Sequence, residues 1–273
     1  SSDEDLQFIC DGTIELDRVE KGRVIEVTKF RGSDFASGQH TLRIEQGGHR
    51  VFPKLRPGEH RQGFIDETIS SGVDELDEML HGGLERGTVT VLSGPSGVGK
   101  TTTGTHFMRE AATRGERSVV YLFEEAESTF SHRSEAIGIP IGEMREKGTL
   151  AVEEMEPISI SSDEFAAMVR EEVEQNDAQV VMIDGISGYR LSIRGDQESL
   201  VREIHSLCRY LKNMGVTVIL VDDVASITGD FKVTSDRISY LADNILFLRY
   251  LEHQGKLQKA AGVLKKRASG FLE

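Results

Sequence analysis

The stretch 89-VTVLSGPSGVGKTTTGTHF-107 decides how this chain is read. Val89–Leu92 is a short apolar run that predicts a buried strand. GPSGVGKT, residues 94–101, follows as a glycine-rich turn of the form G-x-x-x-x-G-K-S/T, and a helical stretch begins behind it. The spacing answers to chemistry. Glycines let the backbone wrap an anion and turn several N–H groups, together with a helix N-terminus, onto phosphates. Lys100 reaches toward the β- and γ-phosphates and the Thr101 hydroxyl toward Mg²⁺. The expected phosphate cradle is Gly94, Pro95, Ser96, Gly97, Val98, Gly99, Lys100, Thr101 and Thr102. A merely flexible Gly/Ser turn does not account for a lysine at the helix start. The stretch predicts a nucleoside-triphosphate site, with ATP and Mg²⁺ as the expected ligands.

Working outward, 273 residues leave room for one large domain, or one domain plus a fragment. A net charge of −14 argues against a nucleic-acid groove, which needs clustered Lys and Arg. Cys10 and Cys208 stand far apart in no metal or redox spacing, which predicts two buried, reduced thiols. No apolar run approaches membrane-spanning length and no signal peptide precedes the first strand, so no membrane is expected and the cytoplasm is the expected compartment. The chain begins with Ser rather than Met and reads as a piece of something longer.

Upstream of the phosphate loop the pattern is β-like: TIEL (13–16), RVIEVTKF (23–30), TLRIE (41–45) and HRVF (49–52) lie between Gly-bearing turns. Four strands this short need another element to pack against. A loose repeat accounts for them. DGTIELDRVEKGRVIEVTKFRGS (11–33) parallels DNILFLRYLEHQGKLQKAAGVLKKRAS (243–269), each with Asp, a strand, a turn, a second strand and K-x-R-x-S-x-F. Lys29 and Arg31 then correspond to Lys265 and Arg267. On this reading residues 1–60 are the C-terminal β segment of an upstream copy plus a linker, and residues 61–273 are the nucleotide-binding domain. Within 70–87, Ser70 or Ser71 is expected to cap a short helix with Val73, Leu76, Met79 and Leu80 facing inward.

Beyond the phosphate loop, apolar runs SVVYLF (118–123), TLAVEEM (149–155), QVVMID (179–184) and VTVILV (216–221) alternate with helical stretches near 100–114, 129–137, 163–175 and 197–214. Near-continuous apolar strands between helices predict an α/β fold with a mainly parallel sheet covered on both faces. VVMID delivers Asp184 to the C-terminal end of its strand, where Mg²⁺ needs an outer ligand. SVVYLF ends on Glu124 and Glu125, carboxylates placed to orient and deprotonate a water for in-line attack. Sequence leaves open which of the two is the base. The eight His are scattered without ligand spacing.

Taken together, GVDELDEMLHGGLERGTVTVLSGPSGVGKT, the Glu pair, VVMID and the terminal K-x-R strand resemble the KaiC-like branch of the RecA superfamily of P-loop NTPases. The resemblance implies an ATPase of regulatory kind that assembles as a homo-oligomer, usually a hexameric ring, with ATP held between neighbours and with protein clients. Lys265 and Arg267 match the pair that reaches the neighbour's γ-phosphate; two residues apart on a strand, they share a face. Two departures stand out. Asp222 and Asp223 follow VTVILV where the family carries Thr, Asn or Glu as a γ-phosphate sensor. In VTSDRISYLAD (233–243) Ser239 falls on a phospho-acceptor position of the clock-associated member, but Tyr240 stands where a Thr would be. A Ser/Thr autokinase acting on Ser239 and a DNA-dependent recombinase-like ATPase are the alternatives. The loops 185–196 and 224–235, which line the ring's centre in this superfamily, offer Tyr189, Arg190, Arg194 and Lys232 without aromatic–basic interleaving. They are expected to be solvated.

Overall fold

The computed structural model describes residues 9–19, 22–60, 67–192, 197–224 and 238–266. The chain opens on an antiparallel meander of four strands in sequential order, β1 (Gly12–Val19), β2 (Gly22–Phe30), β3 (His40–Glu45) and β4 (Gly48–Phe52). A two-residue ribbon, β5 (Thr68–Ile69) with β6 (Leu84–Glu85), brackets α1 (Asp74–Met79). Here the expected cap is not made. Val73 sits at the N-cap with no side-chain cap, and Ser70 and Ser71 instead bond the Asp77 carboxylate, Ser71 through its amide at 2.8 Å and its hydroxyl at 2.7 Å. Leu80 is fully buried as expected, but Met79, the last residue of the six-residue helix, is exposed.

The rest is a seven-stranded sheet flanked by helices. Its elements are β7 (Val89–Gly94), α2 (Lys100–Thr113), β8 (Arg117–Leu122), α3 (Glu127–Ala136), α4 (Ile141–Glu146), β9 (Leu150–Glu154), α5 (Ser162–Glu174), β10 (Ala178–Asp184), α6 (Ile186–Ser192), α7 (Gln197–Asn213), β11 (Thr217–Asp223), β12 (Asn244–His253) and β13 (Lys256–Lys266). The strand order is β13-β12-β7-β11-β10-β8-β9, parallel throughout except for the β12–β13 hairpin.

The apolar runs follow from burial on both faces. Val91, Val181, Ile183, Val218 and Leu220 point to one core, with α5, α6 and α7. Their sequence neighbours Leu92, Val180, Met182, Ile219 and Val221 point to the other, with α2, α3 and α4. Alternation with period two thus survives as a division between two cores rather than between core and water. Each such side chain contributes about 1.5–3 kcal/mol by leaving water. On α5, Phe165, Val169 and Val173 recur at helical spacing on the buried face, and Ser161 with Glu164 forms a reciprocal cap at the start.

The loop expected over 185–196 is in its first half a helix, α6, whose Tyr189 is buried against Phe123 and Phe165 in an aromatic cluster. Apolar contact has overridden the polar neighbours that suggested a solvated loop. Residues 193–196, with Arg194, and 225–237, with Lys232, lie outside the described residues. The cysteines divide as well: Cys208 is buried on α7, whereas Cys10 is exposed ahead of β1.

The two hairpins that read as a repeat share a register. Thr13 faces Lys29 and the ladder bulges between Thr13 and Ile14. Ile245 faces Lys265 and the ladder bulges between Ile245 and Leu246. The N-terminal sheet does pack against another element: Thr41 Oγ1 donates to Asp163 at 2.8 Å, and Arg43 grips the buried Glu164 at the start of α5.

Candidate functional site

Sheet register brings the candidate residues to one rim. Asp223 at the end of β11 pairs with Gly94 at the end of β7, and Asp184 at the end of β10 pairs with Val221 and Leu122. Glu124 follows β8 by two residues. The carboxyl ends of four neighbouring strands, β7, β11, β10 and β8, therefore open together at a cavity of about 390 Å³. Such an edge is where ligands bind in open α/β sheets.

The phosphate loop supplies one wall. Gly97 and Gly99 hold φ of 76° and 116°, a left-handed conformation that a side chain disfavours. Gly99 is the N-cap of α2 and no side chain caps that helix, which leaves its first N–H groups for an anion. Lys100 is only 6% exposed, so its ammonium needs partners. It has two: Nζ donates to the Pro95 carbonyl at 2.9 Å and forms an ion pair with Asp223.

Carboxylates supply the opposite wall. Asp184 is nearly buried, and burial pushes its carboxyl up to about 6 despite a hydrogen bond with Thr101 that favours the ionised form. Among the described residues no group of three or more His, Cys, Asp or Glu forms a metal cage. Mg²⁺ in a nucleotide site needs none, since phosphates and waters complete its shell. One hydroxyl and one buried carboxylate in contact fit that donor set. Glu124 Oε1 accepts the Gly188 amide at 3.2 Å. Burial first, then the charge and hydrogen bond of Asp223, raise its carboxyl above the ordinary value. Glu125 is held by Arg133 through two bonds of 2.7 and 2.8 Å.

Of the expected cradle, Ser96, Gly97, Gly99, Lys100, Thr101 and Thr102 line the cavity, as do Glu124, Glu125 and Asp184. Gly94, Pro95 and Val98 do not line it; Val98 is buried and Gly94 lies against the Leu248 carbonyl. Lys265 is elsewhere: its amine donates to the carbonyls of Ser239 at 3.1 Å and Ala242 at 2.6 Å. Ser239 lies in the short 3-10 turn Ile238–Tyr240, away from this cavity, and Arg267 is outside the described residues. Two charged side chains were missed by sequence reasoning, Arg133 and Lys259; Asp223, singled out as a departure at the γ-phosphate-sensor position, lines the cavity with them. Lys259 Nζ on β13 donates to the Gly97 carbonyl at 2.9 Å and stands over the Tyr250 ring at 6.0 Å from its centre. Its only sequence signal is a lysine on the terminal hairpin.

Comparison with known proteins agrees with this arrangement. Residues 69–271 match the family described as "ATPase: KaiC". The chain is 29% identical over 268 residues to the circadian clock oscillator protein KaiC of a Picosynechococcus species, covering 96% of this chain and 51% of that protein. It is 28% identical over 268 residues to the circadian clock oscillator protein KaiC 1 of a Synechocystis species, with the same coverage. It is 27% identical over 267 residues to the circadian clock protein KaiC3 of that species, covering 96% of this chain and 52% of the relative. The chain thus spans about half the length of the curated relatives it matches. With a phosphate loop on a RecA-like parallel sheet and a family match over most of its length, the chain belongs to the KaiC ATPase family.

Proposed function

We propose that this domain binds ATP with Mg²⁺ and hydrolyses it slowly, and that it assembles with further copies through nucleotide-bridged interfaces as a regulatory ATPase. The observation that carries the reading is the meeting of uncapped helix amides, Lys100, Asp184 and Glu124 around one cavity at the sheet's carboxyl edge. The loop amides and Lys100 bind the phosphates. Thr101 and Asp184 hold Mg²⁺, which offsets the charge of the β- and γ-phosphates when bound. Glu124 takes the proton of a water that attacks the γ-phosphorus as ADP departs; its raised pKa brings it nearer the operating pH than an exposed glutamate. Glu125, already paired with Arg133, orients that wall of the site.

Lys265 and Arg267 are assigned to a neighbour's γ-phosphate, where a cation stabilises transferring charge. Lys265 then gives up the Ser239 and Ala242 carbonyls on assembly. Residues 1–60 are assigned to the end of an upstream copy of the same fold. The shared hairpin register and the half-length coverage of the relatives both support that division. No described helix is long and apolar enough to cross a membrane.

Particle mass by light scattering, with and without Mg-ATP, for the parent and Lys100→Ala tests the reading. The expected result is nucleotide-dependent assembly lost in the variant. Absence of nucleotide binding by the parent sinks it.

A further inference from the structure

We propose that Asp223 clasps Lys100 and must release it before phosphate binds, so that Asp223 sets how tightly the site takes a nucleotide. The inference rests on the nucleotide reading of the same cavity and adds a positioning residue to it.

Backbone pairing fixes Asp223 in place. Asp223 is the last residue of β11, opposite Gly94 in the ladder, and the next amide, Val224 N, donates to the Gly94 carbonyl at 3.1 Å. The carboxylate is thereby held beside the phosphate loop by main chain rather than by a mobile side-chain network. Lys100 is the first residue of α2, with its ammonium drawn to Asp223 and to the Pro95 carbonyl. The lysine that a phosphate would need is already neutralised, at 6% exposure, by a carboxylate that occupies the cavity wall.

Binding is then an exchange of anions on one ammonium. Once Lys100 turns to phosphate, Asp223, its side chain 37% exposed, loses that partner in a wall that also carries Glu124 and Asp184. The cations lining the same cavity are Lys259 on β13, whose amine is engaged by the Gly97 carbonyl, and Arg133 on α3, which is engaged by Glu125. The crowding shows at Glu124, where the charge of Asp223 ranks next after burial in raising the carboxyl. Like charges forced together oppose binding. Removing the Asp223 charge while keeping its shape lifts both the competition for Lys100 and the repulsion of phosphate.

Titration with a fluorescent ADP and with ATP, each with Mg²⁺, on the parent and on Asp223→Asn tests this. The expected outcome is an affinity raised about tenfold, which is a modest electrostatic change. The thermal midpoint without nucleotide should fall while the nucleotide-induced rise in midpoint grows. A merely structural ion pair would lower the midpoint and leave affinity unchanged or weaker, and that result overturns the clasp while leaving the nucleotide site intact. A parent that binds neither nucleotide overturns both. Where the Asn protein does not fold, Asp223→Ser gives the same comparison.

Discussion

Arg133 grips both oxygens of Glu125, Nη1 to Oε2 at 2.8 Å and Nη2 to Oε1 at 2.7 Å, while the adjacent Glu124 accepts the Gly188 amide and lies against Asp223. Two neighbouring carboxylates thus have different electrostatic surroundings. A bidentate guanidinium ties both oxygens of Glu125 into fixed hydrogen bonds and keeps them from a water. Glu124, raised by burial and by Asp223, is the better base. Glu124→Gln is therefore expected to lower single-turnover ATP hydrolysis by about 10²–10⁴-fold with nucleotide affinity retained. Glu125→Gln should lose less. Equal losses in both variants would refute the division of labour.

Gly94 makes a second prediction, about packing. A Cβ there would lie 2.2 Å from the Leu248 carbonyl oxygen and 3.2 Å from the Val98 side chain. The first obstacle is backbone of β12, which is tied to β7 through the Leu246–Leu92 and Phe247–Ser93 pairs and cannot swing aside alone. Gly94→Ala is expected to cost about 1–3 kcal/mol, the usual scale of overpacking, and to push β12 from the phosphate-loop strand. Chemical denaturation reads the loss. An unchanged midpoint would mean that β12 yields without cost.

The N-terminal sheet gives a pH-dependent prediction. Burial tends to raise the Glu164 carboxyl, but hydrogen bonds from Arg43 and Ser161 outweigh it and hold the carboxyl below its ordinary value of 4.5. A depressed carboxylate contributes stability that is fully present above its unfolded value, and the contribution fades as pH falls through the folded value. Arg43→Gln leaves Glu164 buried without its guanidinium and is expected to destabilise by about 1–3 kcal/mol near neutrality. The difference between parent and variant should shrink below about pH 4.5. Thermal melts across that range check the sign; a difference that grows on acidification would contradict it.

Features legible in the sequence are those fixed by local pattern. The phosphate loop states its chemistry in eight consecutive residues, and the parallel sheet follows from apolar runs bounded by helices. Asp184 and Glu124 were legible because a strand end fixes their place. Lys259, Arg133 and the Lys100–Asp223 pair were not, since each depends on which strands or helices become neighbours. Lys259 meets Gly97 across 162 positions of sequence. Met79 and Tyr189 failed for a related reason: periodicity tells which residues share a face, not what that face meets. The exposed Cys10 has the same origin, because burial belongs to the fold rather than to the residue type.

Cys208 offers a probe that ties core to site. It is 3% exposed on α7, and burial pushes its thiol up to about 12 from an ordinary 9.0. A thiol so raised holds no thiolate near neutrality and does not react while folded. In the native protein at pH 8 a disulfide-exchange reagent is expected to modify Cys10 rapidly and Cys208 only as the core opens. Because the folded value is raised, the thiol's contribution to stability is complete below about 9 and declines as pH rises toward 12. Mg-ATP that binds the native state should slow Cys208 labelling in proportion to its concentration over its dissociation constant, by about a hundredfold at a hundred times that constant. Lys100→Ala should show no such protection. Fast labelling of both thiols in the native parent would place Cys208 outside the core and remove the premise.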